Sequence, residues 1–199
     1  MQTTRELTEV TEEYLGGGLA GELILDTAYF FGGLVHEGDL ALADTEALQR
    51  FFDEQLTAFE ALSAGLQKHD GLQLAFIIEG DLVVDGPLWV GAMKGGLNYC
   101  LAVHGSLRAQ GVGIDAYSHA NVTGDLHAPL LFVAGSDGAM VHCGGTATVT
   151  WFVHDQDQHP ISFASSPTEL KTYDVDGDLR SFASKVKAVR DGRDLRASE

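Results

Sequence analysis

Between residues 45 and 67 the apolar positions Leu48, Phe52, Leu56, Phe59, Leu62 and Leu66 recur every three or four residues. That period puts them on one face of a helix. Glu46, Gln49, Arg50, Asp53, Glu54 and Glu60 fall mainly away from it. Asp44 is placed to accept from the free amides of the first turn, and Gly71 to end the helix. Upstream, Thr3 and Glu6 have capping-box spacing and precede a stripe of Leu7, Val10, Tyr14 and Leu15. This predicts a short first helix that stops at Gly16-Gly17-Gly18. Residues 22–31 read equally as strand or buried helix. A last amphipathic stretch carries Leu179, Phe182, Val186 and Val189.

From residue 72 the helical period disappears, and short β-rich runs alternate with Gly and Asp. Four stretches align on Gly80, Gly105, Gly124 and Gly145, at spacings of 25, 19 and 21 residues. Each glycine precedes a short alternating run and then a second apolar run: Leu88-Trp89-Val90, Val112-Gly113-Ile114, Leu130-Leu131-Phe132-Val133 and Trp151-Phe152-Val153. A third run precedes the next glycine, as in Tyr99-Cys100-Leu101-Ala102-Val103 and Ala139-Met140-Val141. Three strands in about 20 residues describe one coil of a solenoid, whose interior is buried only when coils stack. The fold class expected is therefore mainly β with flanking helices: a short right-handed parallel β-helix with helical N- and C-terminal caps. An antiparallel β-sandwich is the alternative, because it too has strands every 8–12 residues. Residues 1–71 form a helical capping segment in this reading, 72–170 the repeat region, and 171–199 a capping helix and tail.

The carrying residues of a family likeness are Glu79-Gly80-Asp81-Leu82-Val83-Val84-Asp85-Gly86, Thr123-Gly124-Asp125-Leu126 and Val103-His104-Gly105-Ser106-Leu107. Over residues 75–163 these coils resemble bacterial β-helical proteins with repeated G-D-L coils. Bactofilin-like polymer-forming proteins share the pattern, as do bacterial proteins that look like immunity proteins of polymorphic toxin systems. The resemblance implies a right-handed β-helix with a binding or scaffolding role, and it carries over no catalytic residue. Long segments at both ends of this chain depart from the polymer-forming group and stand in the way of end-to-end stacking.

Charge sharpens the functional reading. The chain has 199 residues and a net charge of −17. Residues 1–170 hold 23 acidic side chains against five basic ones, while the tail is nearly balanced. Such a body repels nucleic-acid phosphates and anionic lipid and attracts basic surfaces. No stretch approaches a membrane span, and the charged N-terminus lacks the apolar core of a secretory signal. The expected compartment is the cytoplasm. Cys100 and Cys143 do not make a disulfide framework and are expected to be buried thiols.

Candidate chemistry is sparse. His104 and His127 are 23 residues apart, as are His119 and His142, so each pair is a candidate for stacking on one face. His154, Asp155, Asp157 and His159 are the densest set of metal-ligand types, though they lack a family spacing. Pro160 favours a solvated loop there. The run from Asp174 to Asp178 lacks the glycine and the terminal glutamate of a calcium loop and reads as a turn before the last helix. Nucleotide-binding and hydrolase motifs are missing, and the reading requires no cofactor.

The function expected is thus non-catalytic protein binding, in its most specific form an immunity-type inhibitor of a basic toxin domain. Asp81, Asp85, Asp115 and Asp125 are the candidate partner-binding residues, and a basic protein is the partner. One alternative is a self-associating scaffold of the bactofilin kind, which leaves homo-oligomers open. Another is a small metal-dependent enzyme using the histidine-rich segment.

Overall fold

The computed structural model describes residues 3–17, 24, 30–58, 73–91, 99–115, 117–133, 139–154, 161–163, 165–171 and 179–198. Its strands are β1 (Thr4–Leu7), β2 (Phe30–Glu37), β3 (Leu40–Leu42), β4 (Gln73–Glu79), β5 (Leu82–Val84), β6 (Pro87–Val90), β7 (Tyr99–Val103) and β8 (Leu107–Arg108). They continue with β9 (Gly111–Ile114), β10 (His119–Val122), β11 (Leu126–His127), β12 (Leu130–Val133), β13 (Met140–Thr148), β14 (Trp151–His154), β15 (Ile161–Phe163) and β16 (Thr168–Lys171). Helix α1 spans Thr45–Ala58, helix α2 spans Leu179–Arg190, and a 3-10 turn covers Leu195–Ser198. The protein is mainly β with two helices, and neither sheet closes on itself.

The strands form three parallel ladders. The first runs β2-β4-β7-β10 and the start of β13. The second runs β3-β5-β8-β11 and the end of β13. The third runs β6-β9-β12-β14-β16. Strand β13 is long enough to serve two ladders, which joins them into one sheet. Among the described pairs only β1–β2 is antiparallel, and this overturns the antiparallel-sandwich alternative.

Register follows from the alternation of side chains along each strand. Leu40, Leu82, Leu107, Leu126 and Ala147 are successive partners in the second ladder, and all are buried. Leu34, Phe76, Leu101, Ala120 and Val141 do the same in the first. With Leu88, Val112, Leu131 and Phe152 of the third, they make one continuous apolar core.

Gly80, Gly105, Gly124 and Gly145 stack at one corner, as their alignment in the sequence predicts. Gly38 precedes them in the same column. A methyl group at Gly80 would lie 2.5 Å from the Gly38 carbonyl carbon, and one at Gly124 would lie 2.8 Å from that of Gly105. Close backbone packing is what calls for glycine here. Of the five, only Gly38 has positive φ, at 95°.

The flanking segments differ from expectation in two places. Thr4–Leu7 is strand, not helix, because Thr4, Arg5, Glu6 and Leu7 pair with His36, Val35, Leu34 and Gly33 along the edge of β2. Arg5 then reaches both Glu37 (3.6 Å) and Glu79 (3.1 Å), which face each other across β2 and β4. The sheet therefore already includes Phe30–Leu42, inside the segment expected to be helical. Leu7, Leu15 and Ile24 pack on Val35, Ala75, Ile77, Cys100 and Ala102, the outer side of the first ladder. Helix α2 likewise lies across a ladder's side and not across an end. Phe182 and Val186 pack with Trp89, Leu130, Phe132 and Val153, the outer side of the third ladder. Gly111 and Gly113 of the intervening β9 make the room: a Cβ there would lie 2.7 Å from Val186 and 3.0 Å from Phe182.

Helix α1 has the predicted start. Asp44 Oδ1 accepts from the Ala47 amide at 2.9 Å. Leu48, Phe52 and Leu56 enter the core, with Phe52 3.7 Å from Phe76 between ring centroids. The first residue of the helix also closes a strand edge. Thr45 Oγ1 accepts from the Trp89 amide and donates to the Pro87 carbonyl, both at 2.9 Å. Among the described residues no helix is long and apolar enough to cross a membrane.

Candidate recognition face

Two of the three ladders have their outer sides covered by the chain itself, the first by the N-terminal segment and the third by α2. Among the described residues, none covers the outer side of the second ladder. Its strands are two or three residues long, so each presents one outward side chain. In register these are Ala41, Val83, Arg108, His127 and Thr148. Ala41, Arg108 and Thr148 are exposed and His127 is half-buried. Val83 is 36% exposed, one of two exposed large hydrophobics among the described residues.

One margin of this face is a column of polar side chains beside the stacked glycines. Asp39 Oδ1 accepts from the Asp81 amide at 2.9 Å, and Asp81 Oδ1 from the Ser106 amide at 2.7 Å. Ser106 Oγ accepts from the Asp125 amide at 3.3 Å, and Asp125 Oδ1 from the Thr146 amide at 2.8 Å. Each rung thus supplies the acceptor for the next rung's corner amide. This is the physical content of the G-D-L pattern: glycine permits close packing, the acid caps the neighbouring turn, and leucine enters the core. The carboxylates stay exposed, at heights set by strand spacing of about 4.8 Å per rung.

The four candidate aspartates therefore separate. Asp81 and Asp125 share this margin, with Asp39 as a third member. Asp85 is exposed at the other end of β5, where its amide donates to the Leu42 carbonyl and the next residue, Gly86, accepts from the Gln110 amide. Asp115 is half-buried at the corner between the third and first ladders. Asp39 was within reach of sequence reasoning, since Glu37-Gly38-Asp39-Leu40 repeats Glu79-Gly80-Asp81-Leu82.

The histidine pairs do not stack as the 23-residue spacing suggests. His119 faces Cys100 and Met140, His142 faces Asn121, and His127 faces Arg108. Several histidines instead lie against the N-terminal segment. His104 Nε2 meets the Tyr14 carbonyl oxygen at 3.0 Å. Asn121 Nδ2 donates to the Leu15 carbonyl, while its Oδ1 meets His142 Nδ1 at 2.8 Å. His119 Nδ1 lies 3.3 Å from Gln73 Oε1, and burial pushes its pKa down to about 4. Burial also lowers His36 and His142.

Of the metal candidates, His154 is buried and stacks on Phe152 at 4.3 Å. Asp155, Asp157 and His159 lie outside the described residues, as does the run from Asp174 to Asp178. Cys100 and Cys143 are both buried and free, but Cys100 belongs to the outer side of the first ladder and Cys143 to the core. Burial raises both thiols, so neither is an activated nucleophile. Comparison with protein families, with curated proteins and with solved structures finds no match to this chain.

Proposed function

We propose that the protein is a non-catalytic binding module, a short parallel β-helix that docks a basic protein partner on the second ladder, which no described residue covers. The observation that carries this reading is the column of Asp39, Asp81 and Asp125. These acids are held rigid by neighbouring amides yet remain exposed along the margin of an open face. Fixed charge costs little ordering entropy on docking, and an acidic body speeds encounter with a basic surface. The resemblance of the G-D-L coils to immunity proteins of toxin systems makes a basic toxin domain the specific partner proposed, in the cytoplasm. A self-stacking scaffold is less well supported, because Thr45 satisfies the edge amide and carbonyl of β6 that a further strand would need.

The test separates charge from fold. Asn in place of Asp81 and Asp125 keeps an oxygen acceptor for the Ser106 and Thr146 amides and removes the charge. Partners are captured from the native host with tagged protein and identified by mass. One stoichiometric basic protein, harmful when expressed alone, is expected. The double Asn variant should associate with it at least several-fold more slowly at low salt, with an unchanged unfolding midpoint. Recovery of only the protein itself, in large assemblies, selects the scaffold reading.

A further inference from the structure

We propose that the open face also carries an anion-binding site, in the groove lined by Arg108, His127, Thr148 and Thr150, suited to a carboxylate or phosphate group. The groove is shallow and open, with about 310 Å³ of space over lining residues that include the buried Ala109 and Ala128. Arg108, His127 and Thr148 are successive register partners in β8, β11 and β13, so three donor-bearing side chains stand one per rung. At about 4.8 Å per rung they span roughly 10 Å, so donors on adjacent rungs can share one oxyanion.

The state of Arg108 points the same way. Arg5 is taken up by Glu37 and Glu79, Arg193 by Asp191 and Arg196 by Asp194. Arg108 has no carboxylate partner among the described residues, although residues 1–170 contain 23 acids and five bases. The column of acids stands on one margin of the face, and Asp85 lies at the other end of β5. A guanidinium fork binds carboxylate or phosphate through two parallel hydrogen bonds. Imidazole and hydroxyl groups add donors at other angles. The four side chains thus line a small groove with one guanidinium, one imidazole and two hydroxyls, inside an acidic body.

This inference goes beyond the basic-partner reading and stands or falls separately, because replacing Arg108 leaves Asp39, Asp81 and Asp125 in place. The experiment is an NMR titration of the full chain, following the His127 ring protons with His104 as internal reference. Inorganic phosphate and acetate are added separately, at ionic strength held constant with sodium chloride. A saturable His127 shift with millimolar midpoint, weakened at least about tenfold in Arg108→Gln, is expected. Thr148→Val should weaken it by a smaller factor while leaving the spectrum folded. Saturation by phosphate alone assigns a phosphoryl ligand, and by acetate alone a carboxylate ligand. A shift that never saturates, or an Arg108→Gln variant that titrates like the native chain, overturns the site.

Discussion

Replacing Phe182 by Ala removes the ring that ties α2 to the third ladder. Its side chain is fully buried, 5.3 Å from Trp89 and 5.9 Å from Phe132 between ring centroids. Loss of a buried aromatic ring costs about 3–5 kcal/mol, from lost transfer free energy and the cavity left behind. Both tryptophans of the chain, Trp89 and Trp151, belong to this same cluster. Urea unfolding followed by tryptophan fluorescence therefore reports on α2 docking, while circular dichroism reports on the sheet as a whole. The fluorescence midpoint should fall by the amount above divided by the slope of the transition. The complementary variant is Gly113→Ala, whose new Cβ would lie 2.3 Å from Trp89 and 3.0 Å from Phe182. Overpacking of this kind costs about 1–3 kcal/mol. In the double variant Trp89 can swing into the vacated volume, so the combined cost should be less than the sum by about 1 kcal/mol. Strict additivity, or a loss below about 1 kcal/mol in Phe182→Ala, would refute a packing role for α2.

Three further outcomes are expected. Gly105→Ala places a methyl 2.2 Å from Asp81 Oδ1 and 2.7 Å from Gly80 backbone atoms; a destabilisation of about 1–3 kcal/mol is expected in urea unfolding, and a neutral result contradicts the packed glycine column. Asp125→Ala removes the Thr146 amide's acceptor and should cost about 0.5–1.5 kcal/mol, whereas Asp125→Asn should be nearly neutral by thermal melting. Acid should weaken the fold through buried His119. Its pKa of about 4 lies below the ordinary 6.5, so the unfolded chain takes up the proton first and stability drops as pH falls from 6.5 towards 4. This single group contributes about 2–3 kcal/mol of loss between pH 7 and 4.5, checked by urea midpoints at both values, and His119→Gln should shrink the difference.

The repeat was legible because its signals are local. Glycines recur wherever the backbone is crowded, and the apolar runs from Leu88, Val112, Leu130 and Trp151 are the rungs of one ladder. The earlier rung at Gly38 escaped detection because α1 lies between it and Gly80, which hides an identical tetrapeptide behind an irregular interval. The first strand was misread for a different reason. Thr3, Glu6 and the stripe that follows suit a helix locally, but Arg5 finds two glutamates only when the segment is extended along β2. Tertiary pairing outweighs capping propensity of about 1 kcal/mol. The groove at Arg108 and His127 could not be read at all, since residues 19 apart become neighbours only once the register of β8 and β11 is known.

The corner column has a consequence for how such a chain can change length. Each rung's glycine and the polar side chain after it address only the adjacent rung, so the segment from Gly105 to Thr123 could be excised and Gly80 would meet Gly124 in the same relation. A whole turn of the backbone is then one unit that can be gained or lost without disturbing the register of the others. Residues added between strands, as the spacings of 25, 19 and 21 show, leave the later leucines in the core. A lineage of such chains should differ in length by steps of about 20 residues, and the open face would lengthen or shorten by one docking position with each step.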